Sequence, residues 1–150
     1  MFGHAYTAPL NDDSQRNRQG VLGGSRILIV EDEPLMAVDY HFQVRDMGAI
    51  SVGYKSTNSA ALDFLASNAV DAVIVDYALR DGKSEPLMRW LLEYSIPFVV
   101  ITANKPEMRQ WVGLVPVLDK PVSPLDLRTA LFGLLVRRNK ADVGNLARPC

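Results

Sequence analysis

Continuous apolar runs recur along the middle of the chain: Ile27-Leu28-Ile29-Val30, Ala72-Val73-Ile74-Val75 and Phe98-Val99-Val100-Ile101. Runs that do not alternate with polar residues are typical of strands buried on both faces, as in parallel sheets. Leu114 to Leu118 is a fourth run, and its Pro116 predicts an edge or a bulge because proline has no N–H to donate. Ile50 to Tyr54 alternates instead, which predicts an edge strand.

Helical patterns fill the gaps between these runs. The first helix is predicted to begin at Pro34, to end at Gly48 and to bury Leu35, Val38 and Phe42. Ser123 followed by Pro124 is typical of another helix start. Three further apolar stripes predict buried helix faces: Ala61, Leu62, Leu65 and Ala66; Leu87, Trp90 and Leu91; and Leu127, Leu131, Leu134 and Leu135. The short polar segment from Lys105 to Val112 is predicted as the remaining helix.

Strands that alternate with helices predict an α/β fold. We expect a flavodoxin-like, doubly wound, five-stranded parallel sheet in the order 2-1-3-4-5 with five helices, spanning residues 26–138. Residues 1–25 are polar and glycine-rich and are predicted to form a disordered arm. Residues 139–150 are predicted to be a flexible tail.

Composition narrows the class of protein. The formal net charge of −1 gives no global signal for nucleic-acid binding. The single cysteine, Cys150, allows no intrachain disulfide. No apolar stretch approaches the length of a membrane span, and the first 20 residues lack the apolar core of a signal peptide. We therefore expect a soluble cytoplasmic protein that binds neither nucleic acid nor membrane.

Polar side chains follow the predicted strands at their carboxyl ends. Glu31 and Asp32 follow the first strand, Asp76 the third, Thr102 the fourth and Lys120 the fifth. Ligands of open α/β sheets bind at this edge, so we expect these groups to converge there. Clustered carboxylates need a counter-charge, and Mg²⁺ with oxygen ligands supplies one.

That set of groups suits phosphoryl transfer, which depends mainly on positioning and charge stabilisation. The Mg²⁺ ion, Lys120 and the Thr102 hydroxyl could together neutralise a transferring phosphoryl group. A carboxylate such as Asp76 can serve as the nucleophile.

The segments that carry these residues resemble response-regulator receiver domains of two-component signalling. Ile27 to Pro34 is similar to the opening of a receiver, and Asp71 to Asp76, with Asp81-Gly82 behind it, to the segment around the phospho-acceptor. Pro97 to Ala103 resembles the strand of the switch threonine, and Leu118 to Pro121 resembles the Lys-Pro signature.

The resemblance implies a role for each residue. Asp76 would accept a phosphoryl group from a sensor histidine kinase or a histidine phosphotransfer protein. Mg²⁺ would be held by Glu31, Asp32, Asp76 and the backbone carbonyl of Ala78. Thr102 would bond to the phosphoryl oxygen and report its presence, and Lys120 would pair with the phosphoryl group.

The chain departs from the common receiver pattern at two places. Val117 stands where the family usually has the aromatic residue of its switch, and Lys83 replaces a small or acidic residue. Other features, such as the Pro-Val-Leu approach to the lysine, resemble stand-alone receivers of alphaproteobacterial stress signalling. Their Phe-Ala-Thr-Gly motif corresponds here to Val100 to Ala103.

The leading hypothesis is a signalling switch, single-domain in type, that acts on a downstream protein target. It would not be a conventional enzyme, because it would catalyse only its own phosphorylation and dephosphorylation. The sequence leaves dimerisation open, with the apolar stretch around Trp111 as the candidate surface for a homodimer. One alternative is a phosphorylation-independent interaction module, which predicts that Asp76→Asn leaves partner binding unchanged. A small flavodoxin-like or phosphatase-like enzyme fits poorly, since no glycine-rich loop follows the first strand.

Overall fold

The computed structural model describes residue 20 and residues 22–146, with side chains up to residue 139. Five strands form the main sheet: β1 (Arg26–Val30), β2 (Ile50–Lys55), β3 (Ala72–Asp76), β4 (Phe98–Thr102) and β5 (Val117–Asp119). Four α-helices accompany them: α1 (Pro34–Asp46), α2 (Asn58–Ser67), α3 (Glu85–Glu93) and α4 (Pro124–Leu146). A small antiparallel hairpin pairs Ala78–Leu79 with Gly82–Lys83, and a 3₁₀ turn covers Lys105–Met108.

The main sheet is parallel, in the order β2-β1-β3-β4-β5, as predicted. Its register brings Val30 beside Val75, and Asp76 beside Ile101. The edge strand β2 contains an irregularity opposite β1, where Gly53 has a φ of 112°. Such a backbone suits glycine, which has no Cβ to clash. The predicted fold class is confirmed, and the carboxyl ends of four strands lie along one rim.

The core lies on both faces of the sheet. Successive residues of a strand point to opposite faces, so each buried strand contributes to two layers. One layer packs Leu28, Val73 and Val100 against α2 and α3, and the other packs Ile27 and Ile74 against α1 and α4. Each fully buried aliphatic side chain contributes about 1.5–3 kcal/mol relative to exposure. The continuous apolar runs of the sequence are therefore the central strands of a two-sided core.

Helix α1 has the predicted limits but buries a different face. Pro34 is its first residue and Gly48, with a φ of 89°, follows its end. The predicted stripe is exposed instead: Leu35 is 85% exposed, Val38 43% and Phe42 55%. The buried residues are Ala37, Tyr40 and Val44. Two apolar stripes compete on this helix, and the one that contains a small alanine can approach the sheet more closely.

The segment between β4 and β5 also differs from the prediction. The helix predicted from Lys105 to Val112 is a single 3₁₀ turn, Lys105–Met108. Strand β5 begins after Pro116 instead of at Leu114. The chain turns tightly before the strand, where Leu114 and Val115 donate to the carbonyl of Trp111.

Trp111 itself is a core residue of this connection. Only 4% of it is exposed, whereas its neighbours Val112 and Leu114 are exposed. It packs with Met108 in the layer beneath α3. Dimerisation through the stretch around Trp111 stays a prediction.

Described elements lie on both sides of the predicted domain limits at residues 26 and 138. Leu22 is buried and its N–H donates to the Met47 carbonyl at 2.9 Å, so residues 22–25 form a turn against α1. Helix α4 continues to Leu146, and Arg138 donates to the Asp71 carboxylate at 3.0 Å. The rest of the predicted arm, residues 1–19 and 21, lies outside the described residues, as do residues 147–150. None of the described helices combines the length and the hydropathy that a membrane span requires.

Candidate functional site

Three acidic side chains meet at the carboxyl ends of β1 and β3. Carboxylate oxygens of Glu31, Asp32 and Asp76 all lie within 4.8 Å of one another. Glu31 is 1% exposed and Asp76 is 4% exposed, while Asp32 is half-buried. The sequence-predicted acidic cluster is thus present in the fold, with two of its members removed from water.

Lys120 brings a positive charge to this cluster. Its ammonium donates to Asp76 Oδ2 at 2.8 Å and lies 3.8 Å from Glu31 Oε2. The backbone holds it there, because the Lys120 N–H donates to the Thr102 carbonyl at 2.9 Å and extends the β4–β5 pairing by one residue. Burial alone would lower the pKa of Lys120, but the hydrogen bond to Asp76 and the carboxylate charges raise it. The lysine therefore stays charged.

Glu31 is the least satisfied group of the site. Its Oε1 accepts a hydrogen bond from the Glu33 N–H at 3.2 Å, but its Oε2 has no hydrogen-bond partner among the described residues. Burial raises the pKa of the Glu31 carboxyl to about 8, and the adjacent Asp76 adds to the rise. When Glu31, Asp32 and Asp76 are all ionised, the single positive charge of Lys120 does not neutralise them. Such a donor set fits a divalent cation with oxygen ligands, which would satisfy the free Glu31 oxygen.

The raised pKa of Glu31 predicts how stability depends on pH. The folded pKa of about 8 exceeds the unfolded value of 4.5, so the folded state binds this proton more tightly. Its contribution to stability is complete below pH 4.5 and is lost as pH rises toward 8. In metal-free buffer with a chelator, we expect the melting temperature to fall by several degrees between these limits. Glu31→Gln serves as the control and should flatten the slope, and a flat wild-type profile would contradict the assignment.

Thr102 and Ala78 complete the walls of the site. Thr102 is buried, and its Oγ1 accepts a hydrogen bond from the Asn104 N–H at 3.0 Å. The Ala78 N–H donates to Asp76 Oδ1 at 3.2 Å, which holds the following loop against the carboxylate. With Asp32, Asp76 and Lys120 they line an open cavity of about 340 Å³. All five predicted side chains therefore converge, and the predicted backbone ligand Ala78 lies beside them.

Other residues at the rim of this cavity were not predicted to contribute. Lys83, Asn104 and Glu107 line it, as does Tyr77. Lys83 was noted only as a departure from the family pattern, and Glu107, in the 3₁₀ turn, carries no motif. Asn104 stands two residues after Thr102 and can be identified from that spacing, whereas the reach of Glu107 to the cavity depends on the tertiary fold.

Asp81, part of the quoted motif, has a positioning role. Its carboxylate accepts from the backbone N–H groups of Asn58 at 2.9 Å and Ser59 at 3.2 Å, at the start of α2. The Asn58 side chain in turn donates to the Lys83 carbonyl at 3.0 Å. Although burial acts in the opposite direction, these hydrogen bonds hold the pKa of Asp81 below its usual value. The acid thus caps a helix and anchors the hairpin that follows Asp76.

Comparison with known proteins places this geometry in a family. No protein-family model matches the chain. The solution structure of SdrG from Sphingomonas melonis Fr1 is 35% identical, covering 75% of this chain and 97% of SdrG, with a TM-score of 0.66. The response-regulator receiver domain of PhyR from Erythrobacter litoralis is 26% identical, covering 78% of this chain and 94% of that domain, also with a TM-score of 0.66.

A curated relative extends the comparison to a longer protein. The phyllosphere-induced regulator PhyR of Methylorubrum extorquens is 29% identical over 124 residues, which cover 78% of this chain. The match spans 46% of that protein, so the chain corresponds to about half the length of this relative. The parallel sheet, the rim of acids, threonine and lysine, and these likenesses agree. The chain belongs to the response-regulator receiver family.

Proposed function

We propose that this chain accepts a phosphoryl group on Asp76 from a histidine kinase or phosphotransfer histidine, with Mg²⁺, and signals the change to a protein partner. The observation that carries the proposal is the contact between the Lys120 ammonium and Asp76 Oδ2 at 2.8 Å, beside two further carboxylates. An acceptor carboxylate must approach a negatively charged phosphoryl group. A fixed cation at the acceptor makes that approach favourable.

The reaction requires one bond to form and one to break. A carboxylate oxygen of Asp76 would attack the phosphorus of phosphohistidine, forming a P–O bond as the P–N bond breaks and the imidazole leaves with a proton from solvent. Lys120 stays protonated and stabilises charge on the phosphoryl oxygens. The Thr102 hydroxyl donates to one of them. Hydrolysis later cleaves the P–O bond, releasing phosphate and restoring the carboxylate.

The oxygen donors of this site fit Mg²⁺. Asp32, Asp76 and the carbonyl of Ala78 would hold it, and Glu31 would ligate it directly or through water. When bound, Mg²⁺ would neutralise charge on the phosphoryl oxygens. The buried, unpartnered Oε2 of Glu31 is the observation that favours a cation here.

The proposal covers the receiver part alone. The crystal structure of PhyR from Bartonella quintana is described as that of an anti-anti-sigma factor, and this chain covers 56% of it. For this chain we propose a protein target that recognises the phosphorylated receiver, with no chemistry on other substrates. The phosphorylation-independent alternative keeps the fold but predicts no acyl phosphate.

The acceptor is tested by chemical mapping. After incubation with acetyl phosphate and Mg²⁺, borohydride reduction converts an aspartyl phosphate to homoserine. We expect homoserine at position 76, identified by peptide mass spectrometry, with Asp71 unmodified as an internal control. Homoserine at another acid would contradict the assignment of Asp76, and its absence from every peptide would favour the alternative.

A further inference from the structure

Two ammonium groups line the cavity beside Asp76, and they differ in how firmly they are held. Lys120 is bonded to Asp76 itself and its side chain is 24% exposed. Lys83 has a side chain that is 55% exposed and lies on the hairpin that follows the acceptor. Its ammonium is 5.0 Å from the centre of the Tyr77 ring and 2.8 Å from Glu107 Oε2. A lysine in this place has an exposed side chain, and its ion pair with Glu107 is of the exposed kind that contributes little free energy.

Glu107 is the ion-pair partner of Lys83 at the rim of the cavity. It belongs to the 3₁₀ turn after β4 and is itself 41% exposed in its side chain. Its other carboxylate oxygen accepts a hydrogen bond from Asn104 Nδ2 at 2.9 Å. The Asn104 backbone N–H bonds to Thr102 Oγ1 at 3.0 Å. A continuous set of polar contacts therefore runs from Lys83 to the buried threonine of the site.

Phosphorylation would change the balance of this competition. An acyl phosphate replaces one carboxylate charge with nearly two, and it projects from Asp76 into the cavity that Lys83 lines. Glu107 carries one charge in water-exposed surroundings, where an ion pair is weak. The phosphoryl group offers more charge at a less exposed place, so the lysine gains by exchanging partners.

We propose that Lys83 is a second cation for the phosphoryl group, held in reserve by Glu107 until Asp76 is modified. The inference rests on the proposed function and adds a residue to it. The exchange also releases Glu107, and with it Asn104 and the 3₁₀ turn. Phosphorylation at the site could in this way alter the surface around the 3₁₀ turn without the aromatic switch residue that Val117 replaces.

The test measures the affinity of beryllofluoride, a phosphoryl mimic that binds carboxylates, by calorimetry in the presence of Mg²⁺. We expect Lys83→Gln to weaken binding about fivefold and Lys83→Arg to stay within about twofold of wild type. Glu107→Gln should tighten binding about threefold because it frees the lysine. When Lys83 is already glutamine, Glu107→Gln should change the logarithm of the beryllofluoride affinity by less than half as much as it does in wild type.

Salt separates contact from long-range attraction. At about 0.5 M salt, distant charges are screened, so a loss that persists in Lys83→Gln reports a direct pair. A loss that disappears there overturns the proposal, as does wild-type affinity in Lys83→Gln or an equal effect of Glu107→Gln in both backgrounds. The proposed function survives each of these outcomes if wild type binds beryllofluoride and Asp76→Ala does not. Failure of wild type itself to bind beryllofluoride removes the proposed function and this inference together.

Discussion

Replacing Lys120 with glutamine is expected to slow phosphorylation of Asp76 by acetyl phosphate about 100-fold, the usual effect of removing a preorganised charge from a transition state. The reason is the 2.8 Å contact between its ammonium and Asp76 Oδ2 in a site where Asp76 is 4% exposed. Without the lysine, the incoming phosphoryl group meets the acidic cluster with no protein cation bonded to the acceptor. Initial rates of adduct formation, followed by intact-protein mass, measure the loss.

The same variant should bind Mg²⁺ more tightly than wild type, because a positive charge has left the metal site. The two opposite effects separate the charge of Lys120 from general damage to the fold. Lys105→Gln is the matched control, since Lys105 is exposed and lies 3.6 Å from Asp119 at the surface. A Lys120→Gln protein that is phosphorylated as fast as Lys105→Gln would refute this role.

Replacing Asp32 with asparagine is expected to weaken Mg²⁺ binding at least about tenfold, because hard cations are held by the number and charge of their oxygen ligands. Asp32 is the most accessible of the three converging carboxylates, so it offers its oxygen to an ion entering from the cavity. Isothermal calorimetry of the metal-free protein gives the affinity directly.

Asp39→Asn controls for the general loss of one negative charge near the sheet. Asp39 lies on α1, where its carboxylate accepts a hydrogen bond from Gln43 at 2.6 Å. We expect that variant to bind Mg²⁺ within about twofold of wild type, since an exposed charge outside the site is largely screened. Equal affinities for Asp32→Asn and Asp39→Asn would argue that the metal, if bound, lies elsewhere.

The sheet could be predicted because its strands are the continuous apolar runs. Ile27 to Val30 and Phe98 to Ile101 have no polar residue to face water, so both faces of these strands must be covered. That requirement fixes the α/β layering, and the layering brings the strand ends to one rim. The convergence of Asp76 and Lys120 follows from strand ends and from the family resemblance together.

Helix faces and loops were harder to predict, for physical reasons. On α1, hydrophobicity marks Leu35 and Phe42 as strongly as the buried Ala37 and Val44, so the apolar pattern alone does not say which face packs on the sheet. Lys83, in the small hairpin, and Glu107, in the 3₁₀ turn, are paired although they are 24 residues apart in the sequence. No local pattern encodes such a contact, because it depends on where two connections end after the sheet has formed.

Phosphorylation of Asp76 is best tested by the mass of the intact protein after incubation with acetyl phosphate, with Mg²⁺ or with a chelator. Wild type and Asp76→Ala are compared under both conditions. We predict an added mass of one phosphoryl group in wild type with Mg²⁺ only, and none in Asp76→Ala. An adduct of equal yield in Asp76→Ala, or an unmodified wild type that also takes no phosphoryl group from a phosphohistidine donor, would contradict the account.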